Sequence, residues 1–162
     1  VLNPDRDRPG FEPHRVADWD ERVYDVRFSP AHGRVLTRLA DDFDLVWATT
    51  WWQVANERIA PLVGLPALPS VKLPRRHSLP VEGGAFWKTP HLRRYANGRA
   101  AAWLDDELDE GRDTAALTGT FEWPSIYADT PPVAAACLIR VGSKWGLERS
   151  HVERLRAWLD AF

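Results

Sequence analysis

The sequence contains no methionine and only one cysteine among its 162 residues. Because a single thiol cannot form a disulfide within the chain, and because Cys137 lies in an apolar run, we expect a buried and unreactive side chain. No apolar run reaches the roughly 18 residues that a membrane-spanning helix needs, and no signal-peptide pattern opens the sequence. These absences predict a cytoplasmic protein that makes no contact with a membrane.

A dominant charge is also lacking, since 21 basic and 23 acidic side chains give a net charge of −2. This balance does not favour a general nucleic-acid-binding surface. The five histidines show no metal-ligand spacing with one another or with Cys137, so a zinc site is not expected. The chain also has no glycine-rich dinucleotide fingerprint, no Walker sequence and no nucleophile elbow.

Apolar residues make up 44% of the chain and charged residues 27%, which is typical of a globular protein. Strands are predicted at 24–28, 43–48, 70–73, 100–104 and 134–141, and helices at 31–40, 51–62, 89–95 and 107–117. A last helix is predicted after Ser150 as its cap, and residues 3–20 are predicted to be an irregular loop. Alternation of strands and helices indicates an α/β fold with a doubly wound, mainly parallel, Rossmann-like sheet, and we expect one domain over residues 1–162.

Ligands of such sheets bind beyond the carboxyl ends of the strands, where Asp105 and Asp106 follow the strand predicted at 100–104. Adjacent carboxylates repel one another, and a hard divalent cation such as Mg²⁺ compensates this repulsion. The pair therefore predicts a magnesium site. The alternative is structural, with Asp105 as the N-cap of the next helix.

Thr49 and Thr50 follow the strand predicted at 43–48, where hydroxyl and backbone N–H groups at a helix N-terminus can bind phosphate oxygens. Lys88 precedes a short predicted helix and could neutralise charge on a phosphoryl group. Each has a plainer alternative, because Thr49 could be only an N-cap and most lysines are solvated surface residues. Trp51 and Trp52 could line a substrate cleft or belong to the core.

The order of a strand-end Thr, a helix-start Lys and a strand-end Asp-Asp resembles the second, third and fourth motifs of the haloacid dehalogenase (HAD) superfamily. Three segments carry the resemblance: Val1-Leu2-Asn3-Pro4, Val46-Trp47-Ala48-Thr49 and Trp103-Leu104-Asp105-Asp106-Glu107. It implies an Mg²⁺-dependent phosphatase that acts through an aspartyl-phosphate. Thr49 would bind the phosphoryl oxygens, Lys88 would stabilise charge, and Asp105, assisted by Asp106, would hold Mg²⁺.

In that superfamily the first motif, Asp-x-Asp-Gly, supplies the nucleophile and the general acid/base. The present sequence resembles one that starts immediately after this motif, so we expect this chain to be truncated and inactive as it stands. The insertion points at residues 3–23 and 74–86 are too short for a cap domain, which implies an open site for a phosphorylated and bulky substrate, such as a nucleic-acid end or a phosphoprotein. The alternative is a non-catalytic HAD-like binding module that begins at Val1.

Overall fold

The computed structural model of the chain describes residues 2–3, 9–74, 86–120 and 129–161. These residues form two compact units. The first consists of Val1–Leu73 with Ser143–Leu147, and the second of Pro74–Gly142 with Glu148–Phe162. The proposed second cap insertion point at 74–86 lies almost entirely outside the described residues, and the prediction of one domain stays a prediction.

The first unit begins with an antiparallel hairpin of β1 (Glu12–Ala17) and β2 (Val23–Phe28), whose register pairs Glu12 with Phe28 and Ala17 with Val23. The strand predicted at 24–28 is confirmed. The irregular loop predicted at 3–20 is wrong for residues 12–17. The prolines and charges of this segment are typical of a loop, but pairing with β2 stabilises it as a strand. Val16 is the one buried residue of β1.

The turn of this hairpin is organised by the carboxylate of Asp18. Its Oδ1 accepts hydrogen bonds from the backbone N–H groups of Asp20 (2.8 Å) and Arg22 (3.0 Å), and its Oδ2 accepts one from the hydroxyl of Tyr24 (3.1 Å). Glu21 occupies a left-handed backbone conformation with φ of 60°. The acid therefore compensates a strained turn with local hydrogen bonds.

Helix α1 (Pro30–Leu39), predicted at 31–40, follows β2 at once, and Ser29 accepts a hydrogen bond from the N–H of Ala31. The helix predicted at 51–62 is interrupted. A π-helical segment at Ala55–Ile59 leads into the short helix α2 (Ala60–Val63), which ends at Gly64 in the left-handed conformation. Buried residues of these elements form the core of the first unit: Val16, Val26, Phe28, Ala55, Ile59, Ala60, Val63 and Leu65.

The strands predicted at 43–48 and 70–73 are reduced to one parallel bridge between Trp47 and Ser70. The N–H of Trp47 donates to the carbonyl of Pro69, and the N–H of Val71 donates to the carbonyl of Trp47, each at 2.8 Å. The indole of Trp47 is tied to Asn56, and Asn56 also donates to the carbonyl of Leu68. Two backbone hydrogen bonds and the side chain of Asn56 therefore hold this segment, in place of the longer strand ladder predicted for 43–48 and 70–73.

The second unit is built on two parallel strands, β3 (Ala101–Asp105) and β4 (Ala136–Arg140), in a register from Ala101 opposite Ala136 to Asp105 opposite Arg140. Helix α3 (Thr89–Ala96) precedes β3, helix α4 (Glu110–Thr118) lies between the strands in sequence, and helix α5 (Arg149–Asp160) follows β4. The strands predicted at 100–104 and 134–141 are confirmed within a few residues. The described residues are mixed α/β, with one small parallel sheet and one antiparallel pair.

The start of α5 corrects one prediction of detail. Its N-cap is Glu148 and not Ser150, and the backbone N–H of Glu148 donates to Nδ1 of His151 at 2.9 Å. The Glu side chain and the His side chain thus satisfy each other's backbone groups, as in a capping box, and this places the helix start earlier than a serine cap would. Across the described ranges, no helix is long and apolar enough to cross a membrane.

Candidate functional site

Two of the predicted site residues are in direct contact in the second unit. Lys88, the residue before α3, donates from Nζ to Oδ2 of Asp105, the last residue of β3, at 2.8 Å. The two side chains are only 13% and 5% exposed. A solvated surface lysine, the plainer alternative for Lys88, is therefore wrong.

Aromatic rings surround the ammonium group of this pair. Nζ of Lys88 lies 5.2 Å from the ring centroid of Phe86 and 5.7 Å from that of Trp87. The Phe86 ring in turn stacks on Trp103 of β3, with centroids 5.8 Å apart and an interplanar angle of 15°. These rings exclude water while their faces attract the cation, so the charges of the pair interact more strongly than they would at an open surface.

Asp105 is not the N-cap of the helix that follows it. Its Oδ1 accepts a hydrogen bond from the N–H of Glu107 at 3.1 Å, whereas Asp109 caps α4 by accepting from the N–H of Arg112 at 2.8 Å. The carbonyl of Asp105 also accepts from the N–H of Val141 at 2.9 Å, which fixes the residue at the carboxyl end of the parallel pair. Its position is therefore the one at which α/β sheets bind ligands.

Asp106 is half-buried beside it, and its carbonyl accepts a hydrogen bond from Nε of Arg140 at 3.2 Å. No cluster of three or more metal-binding side chains occurs within the described ranges. Mg²⁺ nevertheless needs only one or two protein carboxylates, because water and substrate phosphate complete its shell. Asp105 and Asp106 are carboxylates of that kind, but Lys88 engages one oxygen of Asp105 and the N–H of Glu107 engages the other, so Mg²⁺ binding stays a prediction.

A further residue, Asp113 of α4, was not singled out from the sequence. Its carboxylate is fully buried and accepts three hydrogen bonds. Oδ1 accepts from the N–H of Phe86 (2.7 Å) and from Oγ1 of Thr89 (2.6 Å), and Oδ2 accepts from the N–H of Asp109 (2.8 Å). Because two of these donors flank Lys88 in sequence, Asp113 holds the segment that carries the lysine.

A sequence signal for Asp113 does exist. The residues three and four positions later, Ala116 and Leu117, are buried, and residues at these spacings share one face of a helix. An acid on an apolar helical face must find donors, since a buried carboxylate without them is very costly. That argument identifies a buried polar network but gives no indication of which residues form it.

Thr49 and Thr50 belong to the first unit. Oγ1 of Thr49 accepts a hydrogen bond from the N–H of Trp51 at 3.3 Å, which agrees with the capping alternative, although here the hydroxyl closes a turn. Trp52 has a positive φ of 47°, so no regular helix starts directly after the threonines. Because Thr49 and Lys88 lie in different units, their convergence on one phosphate site stays a prediction.

Thr50 and Trp51 line a cavity of about 370 Å³ in the first unit. We call it the aromatic cleft, and its principal lining residues are Asp18, Trp19, Tyr24, Asp25, Thr50 and Trp51. Trp51 also packs against the core of the first unit. Trp51 therefore has a core contact as well as a place in the cavity lining, and its part in substrate binding stays a prediction.

Comparison with protein-family models, with curated proteins and with solved structures found no match to this chain. We therefore infer its function from its own residues and their geometry.

Proposed function

We propose that the protein is a cytoplasmic, Mg²⁺-dependent phosphohydrolase of HAD type with a doubly wound, Rossmann-like sheet. The observation that carries the proposal is the buried contact between Lys88 and Asp105. The HAD-like motif order assigns these two residues to one phosphate and metal site.

Thr49 and Thr50 would bind phosphoryl oxygens, and Lys88 would stabilise the negative charge that grows on the phosphoryl group. The proposed substrate is a phosphomonoester, either small or part of a macromolecule.

Asp105 and Asp106 would hold Mg²⁺, which supplies Lewis-acid polarisation of a phosphoryl oxygen when it is bound. In a HAD-type reaction an aspartate oxygen forms a bond to phosphorus while the bond to the alcohol oxygen breaks, and water then hydrolyses the aspartyl-phosphate. The chain's own contribution is the placement of charge. Asp113 holds both sides of Lys88, so the ammonium group is kept at the end of β3 without a large loss of side-chain entropy on binding.

The test is hydrolysis of phosphomonoesters by the complete gene product in Mg²⁺ and after chelation. We expect Mg²⁺-dependent turnover, with Lys88→Met and Asp105→Asn each lowering kcat by about 10²- to 10³-fold, as removal of one charge-stabilising group does in other enzymes. Lys72→Met is the matched control, because Lys72 is exposed and belongs to the first unit. Calorimetric titration of orthophosphate measures binding separately from turnover.

Turnover that is unchanged in Asp105→Asn would show that the chemistry lies elsewhere. Phosphate binding that depends on Lys88, with no hydrolysis of any phosphomonoester, phosphoprotein or nucleic-acid end, would establish the binding module instead.

A further inference from the structure

The aromatic cleft combines aromatic surface with negative charge. Trp19 and Tyr24 remain 37% and 42% exposed, although large aromatic side chains usually contribute more of their surface to a core. The carboxylates of Asp18 and Asp25 lie in the same lining, and none of the described lining residues is Lys or Arg. A volume of about 370 Å³ is sufficient for a small ligand or for one group of a larger one.

The rings of the cleft are held in place before any ligand binds. Trp19 stacks on Trp52 with centroids 5.5 Å apart and an interplanar angle of 26°. Tyr24 packs against Trp51 at 5.3 Å, and its hydroxyl donates to Asp18. Since these contacts fix the rings, a ligand that uses their faces loses little binding free energy to ordering.

The charges of the cleft select the kind of ligand. Hydrogen bonds from the N–H groups of Arg22 and Asp20 and from Tyr24 outweigh the opposing effect of desolvation and lower the pKa of Asp18, so this carboxylate is ionised at neutral pH. Among the described residues, Asp25 forms an ion pair with Arg15 at 3.7 Å, and both side chains are largely exposed. Such a pair is weak and leaves Asp25 able to attract a second cation.

We propose that the aromatic cleft binds an organic cation of the alkylammonium class. Ring faces attract such cations through their quadrupole, and carboxylates at the rim add Coulomb attraction. The proposal does not depend on the proposed phosphatase function, and its test uses a free cation.

The probe is choline, compared with its uncharged isostere in which a tert-butyl group replaces the trimethylammonium group. We expect choline to bind in calorimetric titration and to quench tryptophan fluorescence, with the isostere at least about tenfold weaker. Tyr24→Leu, which removes one ring, should weaken choline binding about five- to thirtyfold. Asp25→Asn should weaken it less and should reduce its dependence on ionic strength.

Tyr95→Leu is the matched control, since Tyr95 is an equally exposed tyrosine in the second unit, and it should leave choline binding unchanged. Tyr24→Phe retains the ring and should bind choline better than Tyr24→Leu does, which separates loss of the ring from disruption of the hairpin. Equal binding of choline and the isostere, or no choline binding up to about 10 mM, would overturn the proposal. Preference for an uncharged planar ligand such as adenosine would overturn it too.

Discussion

Replacing Lys88 by methionine tests whether the contact with Asp105 has the energetics of a buried ion pair. Methionine has a similar length and no charge, so the substitution removes the ammonium group and leaves most of the packing against Phe86 and Trp87. The side chain of Asp105 is only 5% exposed. Among the described residues, the N–H of Glu107 is then the one hydrogen-bond donor that its carboxylate retains.

The expected loss is about 3 to 5 kcal/mol in the free energy of unfolding, because removal of one partner leaves a buried charge uncompensated. An exposed ion pair would instead contribute about 0 to 1 kcal/mol. The exposures of 13% and 5% place this pair with the buried class. The two cases differ by more than the error of a denaturation experiment.

Urea unfolding of the wild type, Lys88→Met, Asp105→Asn and the double variant forms a double-mutant cycle. The double variant should be at least about 2 kcal/mol more stable than the sum of the single losses predicts, since it carries no unpaired charge at this position. Lys72→Met, on an exposed side chain, should change stability by less than about 0.5 kcal/mol. A loss for Lys88→Met no larger than that of the control, with no coupling to Asp105, would refute the assignment of a buried pair.

Three further predictions concern residues away from this contact. Asp113→Ala should cost about 3 kcal/mol or more by urea unfolding, because three donors lose their acceptor, and a loss below 1 kcal/mol would contradict this. Gly33→Ala should cost about 3 kcal/mol or more, since an added Cβ would overlap the backbone carbonyl oxygen of Val63, and an unchanged thermal midpoint would exclude the close helix approach. Glu110→Gln should cost at most about 1 kcal/mol at pH 7 because both partners are substantially exposed. The hydrogen bond from Arg154 lowers the pKa of Glu110 in the folded state, so this difference should shrink as the pH falls through that pKa, and a difference that grows on acidification would contradict it.

The sequence predicts the second unit better than the first. Apolar runs ending in polar residues locate β3 and β4. Local pattern is sufficient there because each strand supplies a buried apolar side chain to the core of the unit, Trp103 from β3 and Leu138 from β4. In the first unit, β1 depends on its pairing with β2, which no local pattern reveals.

The candidate site also has a part that the sequence predicts and a part that it does not. Residue type and strand ends select Lys88 and Asp105, and the distance between them is then a result of folding. The role of Asp113 depends on donors 24 and 27 residues earlier in the sequence, and such long-range hydrogen bonds cannot be read from local periodicity. Sequence reasoning therefore identifies which groups can do chemistry, while the supporting network needs the structure.

Stability alone is a poor explanation for the charges at the end of β3. A buried ion pair can often be replaced by apolar residues of similar volume without loss of stability, because desolvation offsets most of the attraction. Asp113 adds another buried carboxylate whose hydrogen bonds hold the residues on either side of Lys88. The buried pair of Lys88 and Asp105 at the carboxyl end of a parallel strand pair is better explained by a use for its charge, and the proposed binding of a phosphoryl group with its metal ion would be such a use.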